Sequence, residues 1–186
     1  MIKYSAVKMN EKNLVKESIR TVPDFPVPGI MFRDVTTLMK DKNALRASIN
    51  CLVSEAEKFQ AFDCIAGIEA RGFIFGALLA DRLNKGFVPL RKPGKLPSEV
   101  FSVEYELEYG KDRMEIHSDA IRKGMKFLLV DDLLATGGTA EAACRLVEKG
   151  GGIVIGCLFL IELPDLLGRH KLTHRKVLSV VEFEGK

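Results

Sequence analysis

The chain has 186 residues, of which 28 are basic and 25 acidic, giving a formal net charge of +3. This length predicts one domain over residues 1–186, with a core large enough to be stable without disulfides or a metal. The near balance of charge, with no lysine-rich run, argues against a nucleic-acid binder. Four widely separated cysteines and the lack of any run of about 18 apolar residues predict reduced thiols in a cytoplasmic protein with no membrane segment.

In the N-terminal part, the spacing of apolar residues predicts a short amphipathic helix over about residues 10–20. A proline-rich segment follows at 22–29. Three prolines there exclude a helix or a central strand and predict an extended path with few internal backbone hydrogen bonds. Such backbone groups can bind a flat polar ligand, although a plain surface connection is the alternative. Next, Asp41 is placed to cap a helix that runs to about Phe59.

The first core strand is predicted at residues 62–68, and the polar loop 69–72 connects it to an apolar helix at 73–83. A glycine-bearing loop between a buried strand and a helix N-terminus is typical of an anion site, and Arg71 adds a positive charge. The alternative is a local ion pair between Glu69 and Arg71 with no ligand.

A short strand at residues 86–90 leads into a basic loop at 91–97, which two prolines and a glycine keep irregular. Apolar and polar residues then alternate over about 99–116, which predicts a two-stranded hairpin of limited burial. Exposed hairpins can close over a ligand. Both segments are also compatible with ordinary solvated surface.

The central strand is predicted at residues 126–130, where unbroken apolar character indicates burial on both faces of a parallel sheet. Asp131 and Asp132 follow, and then a loop of small residues at 135–139 opens a helix. Free backbone N–H groups at a helix N-terminus bind anions, so the acids and the loop together suit a sugar phosphate. A tight strand-to-helix turn with solvated acids is the alternative.

Another apolar strand, at residues 153–161, ends just before Leu163. That leucine can lie against a planar base at the sheet edge, or it can be an ordinary core residue. The alternation of strands and helices predicts a doubly wound α/β domain with a mostly parallel sheet of about five strands. A flexible hairpin, about 99–116, and an N-terminal base-binding hood segment, about 10–36, would complete it.

Two of these segments resemble known motifs. Residues 129–139 resemble the phosphoribosyl pyrophosphate (PRPP) motif of type I phosphoribosyltransferases, and residues 23–34 resemble the N-terminal segment of the adenine phosphoribosyltransferase family. The resemblance covers about residues 14–183. It implies purine salvage in which adenine and PRPP give AMP and pyrophosphate with inversion at ribose C1. It also implies a requirement for Mg²⁺ and a homodimer in which Arg91 reaches the neighbouring site.

The resemblance also implies roles for individual residues. Asp131 and Asp132 are expected to bind the ribose hydroxyls. The 5′-phosphate is expected to bind to the loop formed by Ala135, Thr136, Gly137, Gly138 and Thr139. Pyrophosphate contacts are expected at Glu69, Ala70, Arg71, Arg91 and Lys95, where alanine and glutamate replace the commoner serine and aspartate. Adenine contacts are expected from the backbone of Met31 and Arg33 and from Phe32 and Leu163. Glu108 would take the purine proton, and Mg²⁺ would be held mainly by PRPP and water, with no direct protein ligand.

Two other functions are considered. A phosphoribosyltransferase for another base would keep the PRPP motif but should lack the Pro23–Pro26 segment. A non-enzymatic PRPP-sensing regulator would need a nucleic-acid-binding surface, and the sequence has no basic stripe or added domain for one. Adenine and PRPP are therefore the expected partners, with no nucleic acid and no membrane.

Overall fold

A five-stranded parallel sheet forms the centre of the molecule in the computed structural model, which describes residues 2–106 and 111–185. Its strands lie in the order β4-β3-β7-β8-β9. The bounds are β3 Cys64–Ile68, β4 Gly86–Leu90, β7 Lys126–Leu134, β8 Ile153–Glu162 and β9 Val177–Glu182. The predicted doubly wound α/β fold with about five strands is confirmed.

Five α-helices accompany this sheet in the described part of the chain: α1 Ile2–Ser18, α2 Thr36–Lys40, α3 Lys42–Ala56, α4 Arg71–Arg82 and α5 Gly138–Lys149. Short 3₁₀ helices lie at Ser118–Ala120, Pro164–Leu166 and Gly168–Leu172. The predicted cap of α3 is confirmed, since the Asp41 carboxylate accepts hydrogen bonds from the backbone N–H groups of Asn43 and Ala44. The helix ends earlier than predicted, and α1 begins well before residue 10.

The proline-rich segment is a turn between two short antiparallel strands, β1 Arg20–Pro23 and β2 Met31–Asp34. The predicted extended path is therefore wrong, because the chain reverses direction here. Asp24 has φ +56° and its carboxylate accepts a hydrogen bond from the Gly29 N–H at 2.7 Å. Gly29 itself has φ +90°, a conformation that glycine adopts without strain.

The predicted hairpin is present as β5 Val100–Glu106 and β6 Lys111–His117, but its limited burial is wrong. Met114 and Ile116 are buried in the core between the sheet and α5. The strand β6 is also tied to the end of β4, because Arg91 and Glu115 exchange backbone hydrogen bonds of 2.9 and 2.8 Å. The apolar face of the hairpin is therefore part of the folded core.

The two faces of the sheet carry separate apolar clusters. Leu128 and Val130 of β7 pack into the cluster with α1, α3 and α4. Phe127 and Leu129 pack on the other face with α5 and the hairpin. The central strand is therefore buried on both faces, as its unbroken apolar sequence predicts. Within the described residues, no helix combines the length and apolar character that crossing a membrane requires.

Candidate active site

A cavity of about 390 Å³ lies at the carboxyl ends of β3, β4 and β7, the edge at which ligands bind in open α/β sheets. It brings together most of the residues predicted for PRPP. Those in its lining are Glu69, Ala70, Arg71, Arg91, Asp131, Asp132, Ala135, Thr136, Gly137, Gly138 and Thr139. Lys95 and the four adenine-site residues are not in the lining, and Glu108 lies outside the described residues.

The loop after β7 presents backbone rather than side-chain donors. Gly137 is the N-cap residue of α5 with φ +78°, and no side chain caps this helix end. The N–H groups of the first turn are therefore available to a ligand, and the helix dipole favours an anion there. Only glycine fits at this position, since a Cβ on Gly137 would lie 2.3 Å from the carbonyl oxygen of Gly168. The loop therefore presents uncapped backbone N–H groups at the start of α5 and packs closely on Gly168.

The acid pair lies within β7, because this strand continues to Leu134 by pairing with β8. Asp132 is 4% exposed and Asp131 is half-buried. Burial raises the pKa of Asp131 well above its usual range, and the charge of Asp132 raises it further. Burial also raises the pKa of Asp132, although Arg71 opposes this shift. Keeping two neighbouring carboxylates ionised in this buried position costs free energy. Ligand hydroxyl groups that donate hydrogen bonds to them would offset that cost.

Arg71 connects three parts of the site. Its Nε lies 2.7 Å from Asp132 Oδ2, and its guanidinium carbon lies 5.4 Å from the centre of the Phe32 ring. The loop before it contains a cis peptide bond between Glu69 and Ala70. The alternative of a local Glu69–Arg71 ion pair is not what the structure contains, since each partner pairs elsewhere.

Glu69 instead pairs with Arg91 from the next loop, with Arg91 Nη2 3.1 Å from Glu69 Oε1. The same carboxylate accepts a hydrogen bond from the Lys92 backbone N–H at 2.9 Å. The bond from Arg91 is the main reason why the pKa of Glu69 is lowered. Arg91 also donates to the carbonyl oxygen of Lys95 at 3.1 Å, while Lys95 itself is exposed. The ion pair between Glu69 and Arg91 thereby joins the loop 69–72 to the basic loop 91–97.

Sequence reasoning assigned no role to three polar residues of the cavity wall. Lys92 Nζ pairs with the Asp112 carboxylate, and Tyr105 Oη donates to Asp112 Oδ2 at 3.0 Å. Burial lowers the pKa of Lys92, but the hydrogen bond to Asp112 opposes it and the net shift is upward. The hairpin register observed in the structure places Tyr105 opposite Asp112. From the sequence, ordinary solvated surface was only an alternative for this hairpin, and no role was predicted for Tyr105 or Asp112.

The predicted adenine residues form a second region beside the cavity. Phe32 packs edge-to-face on Phe25, with ring centres 5.1 Å apart. The Arg33 side chain is buried, donates to Thr21 and to the carbonyl oxygen of Glu184, and lies over the Phe183 ring.

The Arg33 side chain is therefore engaged within the protein, and the role of its backbone in binding adenine stays a prediction. Met31 is the most exposed of the four adenine-site residues. Leu163 is buried at the sheet edge, where its N–H donates to Leu134 O at 3.0 Å.

Comparison with known proteins places this fold and cavity in a class. The family model of the phosphoribosyl transferase domain matches residues 34–184, so the class is that of the phosphoribosyltransferases. The adenine phosphoribosyltransferase of Chlorobium chlorochromatii is 56% identical over 174 residues, which cover 92% of this chain and 98% of that protein. The chain belongs to the adenine phosphoribosyltransferase family.

Solved structures agree with this assignment. The crystal structure of adenine phosphoribosyltransferase from Thermoanaerobacter pseudethanolicus is 53% identical, with a TM-score of 0.89 and coverage of 92% of this chain and 99% of that one. The enzyme from Saccharomyces cerevisiae, complexed with an imino-altritol bisphosphate and adenine, is 39% identical with a TM-score of 0.88. It covers 93% of this chain and 99% of its own. The family resemblance found in the sequence is confirmed.

Proposed function

We propose that this protein transfers the phosphoribosyl group of PRPP to N9 of adenine, giving AMP and pyrophosphate. The observation that carries the proposal is one cavity that holds an acid pair, a backbone phosphate loop and a cation, Arg71, that also contacts the hood residue Phe32. The names of the relatives and the adenine in the yeast structure support adenine as the base.

In the proposed complex the 5′-phosphate lies on the loop 135–139, where N–H groups and the start of α5 stabilise its charge. Asp131 and Asp132 accept hydrogen bonds from the ribose hydroxyls. This use of the acids requires Arg71 to move from Asp132 or to share it with the ribose. Fixing both ends of the phosphoribosyl group orients C1 for in-line attack by N9, so the configuration inverts.

The leaving group lies against the loop 69–72, where Arg71 offsets the charge that develops on pyrophosphate. Glu69 holds Arg91 within its own chain before the ligand binds, and Arg91 then adds its charge in the neighbouring site, as proposed below. Lys95, at the rim, adds a further positive charge. Enzymes of this family generally use Mg²⁺ with PRPP. Oxygen atoms are the donors that Mg²⁺ prefers, and those of PRPP and water would hold it chiefly, where it lowers the charge of the leaving group.

Adenine lies between Phe32 and Leu163 in this proposal, with its edge against the backbone of Met31 and Arg33. A backbone carbonyl can only accept a hydrogen bond, so it favours the exocyclic amine of adenine over the keto oxygen of hypoxanthine. The rigid turn at Gly29 and the buried Arg33 side chain support a fixed backbone here. Glu108, which is outside the described residues, is proposed on the family resemblance alone to take the purine proton.

We also propose a homodimer in which Arg91 reaches the neighbouring site. Helix α4, which begins at the pyrophosphate loop, exposes Ile74 and Leu78 one turn apart, and exposed apolar side chains at this spacing suit a helix interface. Within its own chain Arg91 contacts Glu69, so the proposal requires that this ion pair open. A cytoplasmic location is proposed as well, supported by four buried cysteine thiols without a disulfide among the described residues.

Co-expression of Arg91→Ala and Asp132→Asn subunits tests the shared site. If Arg91 acts in the neighbouring site, each mixed dimer contains one site with both native residues and regains activity that neither variant has alone. If Arg91 acts in its own chain, every site of the mixed dimer lacks one residue and activity stays at the level of the single variants.

The proposed reaction is tested by a Mg²⁺-dependent assay with PRPP and, separately, adenine, hypoxanthine, guanine and uracil, following nucleotide and pyrophosphate release. AMP from adenine alone is the expected result. Product from another base would keep the PRPP site and overturn the account of base selection. Binding of PRPP without product from any base would overturn the enzymatic function.

A further inference from the structure

We infer that Arg169 and Glu162 are positioning residues, whose ion pair holds the phosphate loop and the base-facing leucine in register with each other. The inference rests on the proposed function of the site. Arg169 binds Glu162 with both prongs of its guanidinium, at 2.5 Å from Nε to Oε1 and 2.6 Å from Nη2 to Oε2. Bidentate pairs of this kind are stronger and more directional than single ion pairs.

The pair is anchored on two strands of the central sheet. Glu162 is the last residue of β8 and is only 3% exposed. Its second oxygen also accepts a hydrogen bond from Ser179 Oγ of β9 at 2.7 Å. Arg169 in turn donates through Nη1 to the carbonyl oxygen of Val177 at 2.8 Å. Each of these hydrogen bonds thus ends on β8 or β9, so the sheet fixes the position of the ion pair.

The segment between the two charged residues, 163–168, contacts both sides of the proposed site. It begins at Leu163, the leucine expected beside adenine, which follows Glu162 directly. It ends at Gly168, whose backbone packs against the phosphate loop. A Cβ on Gly168 would lie 2.2 Å from the carbonyl oxygen of Ala135, and a Cβ on Gly137 would lie 2.3 Å from that of Gly168.

One ion pair therefore closes a short loop whose first residue borders the base and whose last residue braces the phosphate loop. The sheet itself does not depend on this pair, because β8 and β9 are paired in parallel from Cys157 to Glu162 by backbone hydrogen bonds. Loss of the pair should let Leu163 and Gly168 shift while the fold persists. Misplacement of about 1 Å at a site can lower activity by about 100-fold.

Arg169→Ala and Arg169→Lys test the inference, with Arg175→Ala as the matched control. Arg175 also binds both oxygens of a glutamate, Glu148, at 2.7 and 2.8 Å, but that pair joins the end of α5 to the turn before β9, away from the segment 163–168. KM and kcat for adenine and for PRPP are measured for each variant, together with melting temperature.

We expect Arg169→Ala to raise KM for both adenine and PRPP, with kcat/KM lowered roughly 10- to 100-fold. Arg169→Lys should recover part of this loss, because lysine keeps the charge but cannot bind both carboxylate oxygens. Arg175→Ala should lower the melting temperature without changing either KM. A purely structural role for Arg169 would give the same pattern as the control, and that result would overturn the inference.

If Arg169→Ala does not fold, Ser179→Ala provides the test, since it leaves the ion pair and removes only the hydrogen bond to Glu162 and a long one, 3.5 Å, from Arg169 Nη2. The same rise in both KM values is expected, at a few-fold. Unchanged KM values in a folded Ser179→Ala protein would overturn the inference. A wild-type protein that makes no AMP would instead overturn the proposed function, so the two failures are distinguishable.

Discussion

The phosphate side and the base side of the proposed site are constructed differently. Residues 131–139 form one continuous stretch of the cavity lining, in which the proposed phosphate contacts come from the backbone and Gly137 packs against Gly168. The base side is assembled from the hood and Leu163, which are distant in sequence and held by side-chain contacts such as Arg20–Asp34. A single substitution that moves the backbone of the phosphate side should therefore cause a large loss of function. On the base side, which several side-chain contacts hold in place, a single substitution should cause a smaller loss.

Gly137→Ala is the change expected to have the largest effect. The new Cβ would meet the carbonyl oxygen of Gly168 at 2.3 Å, and φ +78° is unfavourable for alanine, so the loop must move. Affinity for PRPP should fall by about 100-fold or more. Gly124→Ala is the control, since it has φ +81° but no atom within 4 Å of the new Cβ. Equal losses of PRPP affinity in the two variants would contradict the packing argument.

Asp132→Asn is expected to have the next largest effect. The amide cannot accept hydrogen bonds as a carboxylate does, and it releases Arg71 from its ion pair. We expect PRPP affinity to fall roughly 10- to 100-fold with the fold intact, as for the loss of a charged hydrogen bond.

The control for this substitution is Asp63→Asn. Asp63 accepts a hydrogen bond from the Lys126 N–H at 2.8 Å, and it lies at the opposite, amino-terminal end of the strands β3 and β7. Binding of PRPP, measured by calorimetry, should be unchanged in this variant. Unchanged affinity in Asp132→Asn would remove Asp132 from the site.

Phe32→Leu tests the base side, where a smaller effect is expected. Loss of the aromatic face should raise KM for adenine by roughly 2- to 10-fold, with a smaller effect on KM for PRPP through the lost contact with Arg71. Phe73→Leu is the comparison, because Phe73 is the aromatic residue beside Arg91 on the pyrophosphate side. Steady-state kinetics that show a change in KM for PRPP alone in Phe32→Leu would contradict the division between the two sides.

The smallest effect concerns the anchor of the hood. Hydrogen bonds from Thr36 and Arg20 lower the pKa of Asp34 from 3.8 to about 2. Its stabilising contribution is therefore complete above pH 3.8 and is lost as the pH falls towards about 2. Urea unfolding of wild type and Asp34→Asn should differ by on the order of 1 kcal/mol above that window, and the difference should shrink within it. A difference that is constant with pH would contradict this role.

Sequence patterns predicted the parts of the molecule that depend on local structure. The Asp41 cap, the buried central strand and the loop of small residues that leads into α5 all follow from residues that are adjacent in the chain. The prediction that the hairpin strand β6 has limited burial was wrong. Its alternating residues were assigned to an exposed hairpin, whereas α5 covers their apolar face.

The ion pairs of the site could not be predicted in the same way. Arg71 pairs with Asp132, Glu69 with Arg91 and Lys92 with Asp112, and the partners are separated by 20 residues or more along the chain. Many oppositely charged residues could form such pairs, and only the tertiary structure selects among them. Base-side residues such as Leu163 are also indistinguishable from core residues by pattern, so the family resemblance was needed to propose them.

A crystal structure of this protein with AMP tests the central claim most directly, because AMP occupies the phosphate and base sides together. The account predicts the phosphate on the N–H groups of the loop 135–139, the ribose hydroxyls on Asp131 and Asp132, and adenine between Phe32 and Leu163. Its exocyclic amine should face a backbone carbonyl of Met31 or Arg33. A phosphate bound elsewhere, or a base that contacts neither Phe32 nor Leu163, would contradict the account.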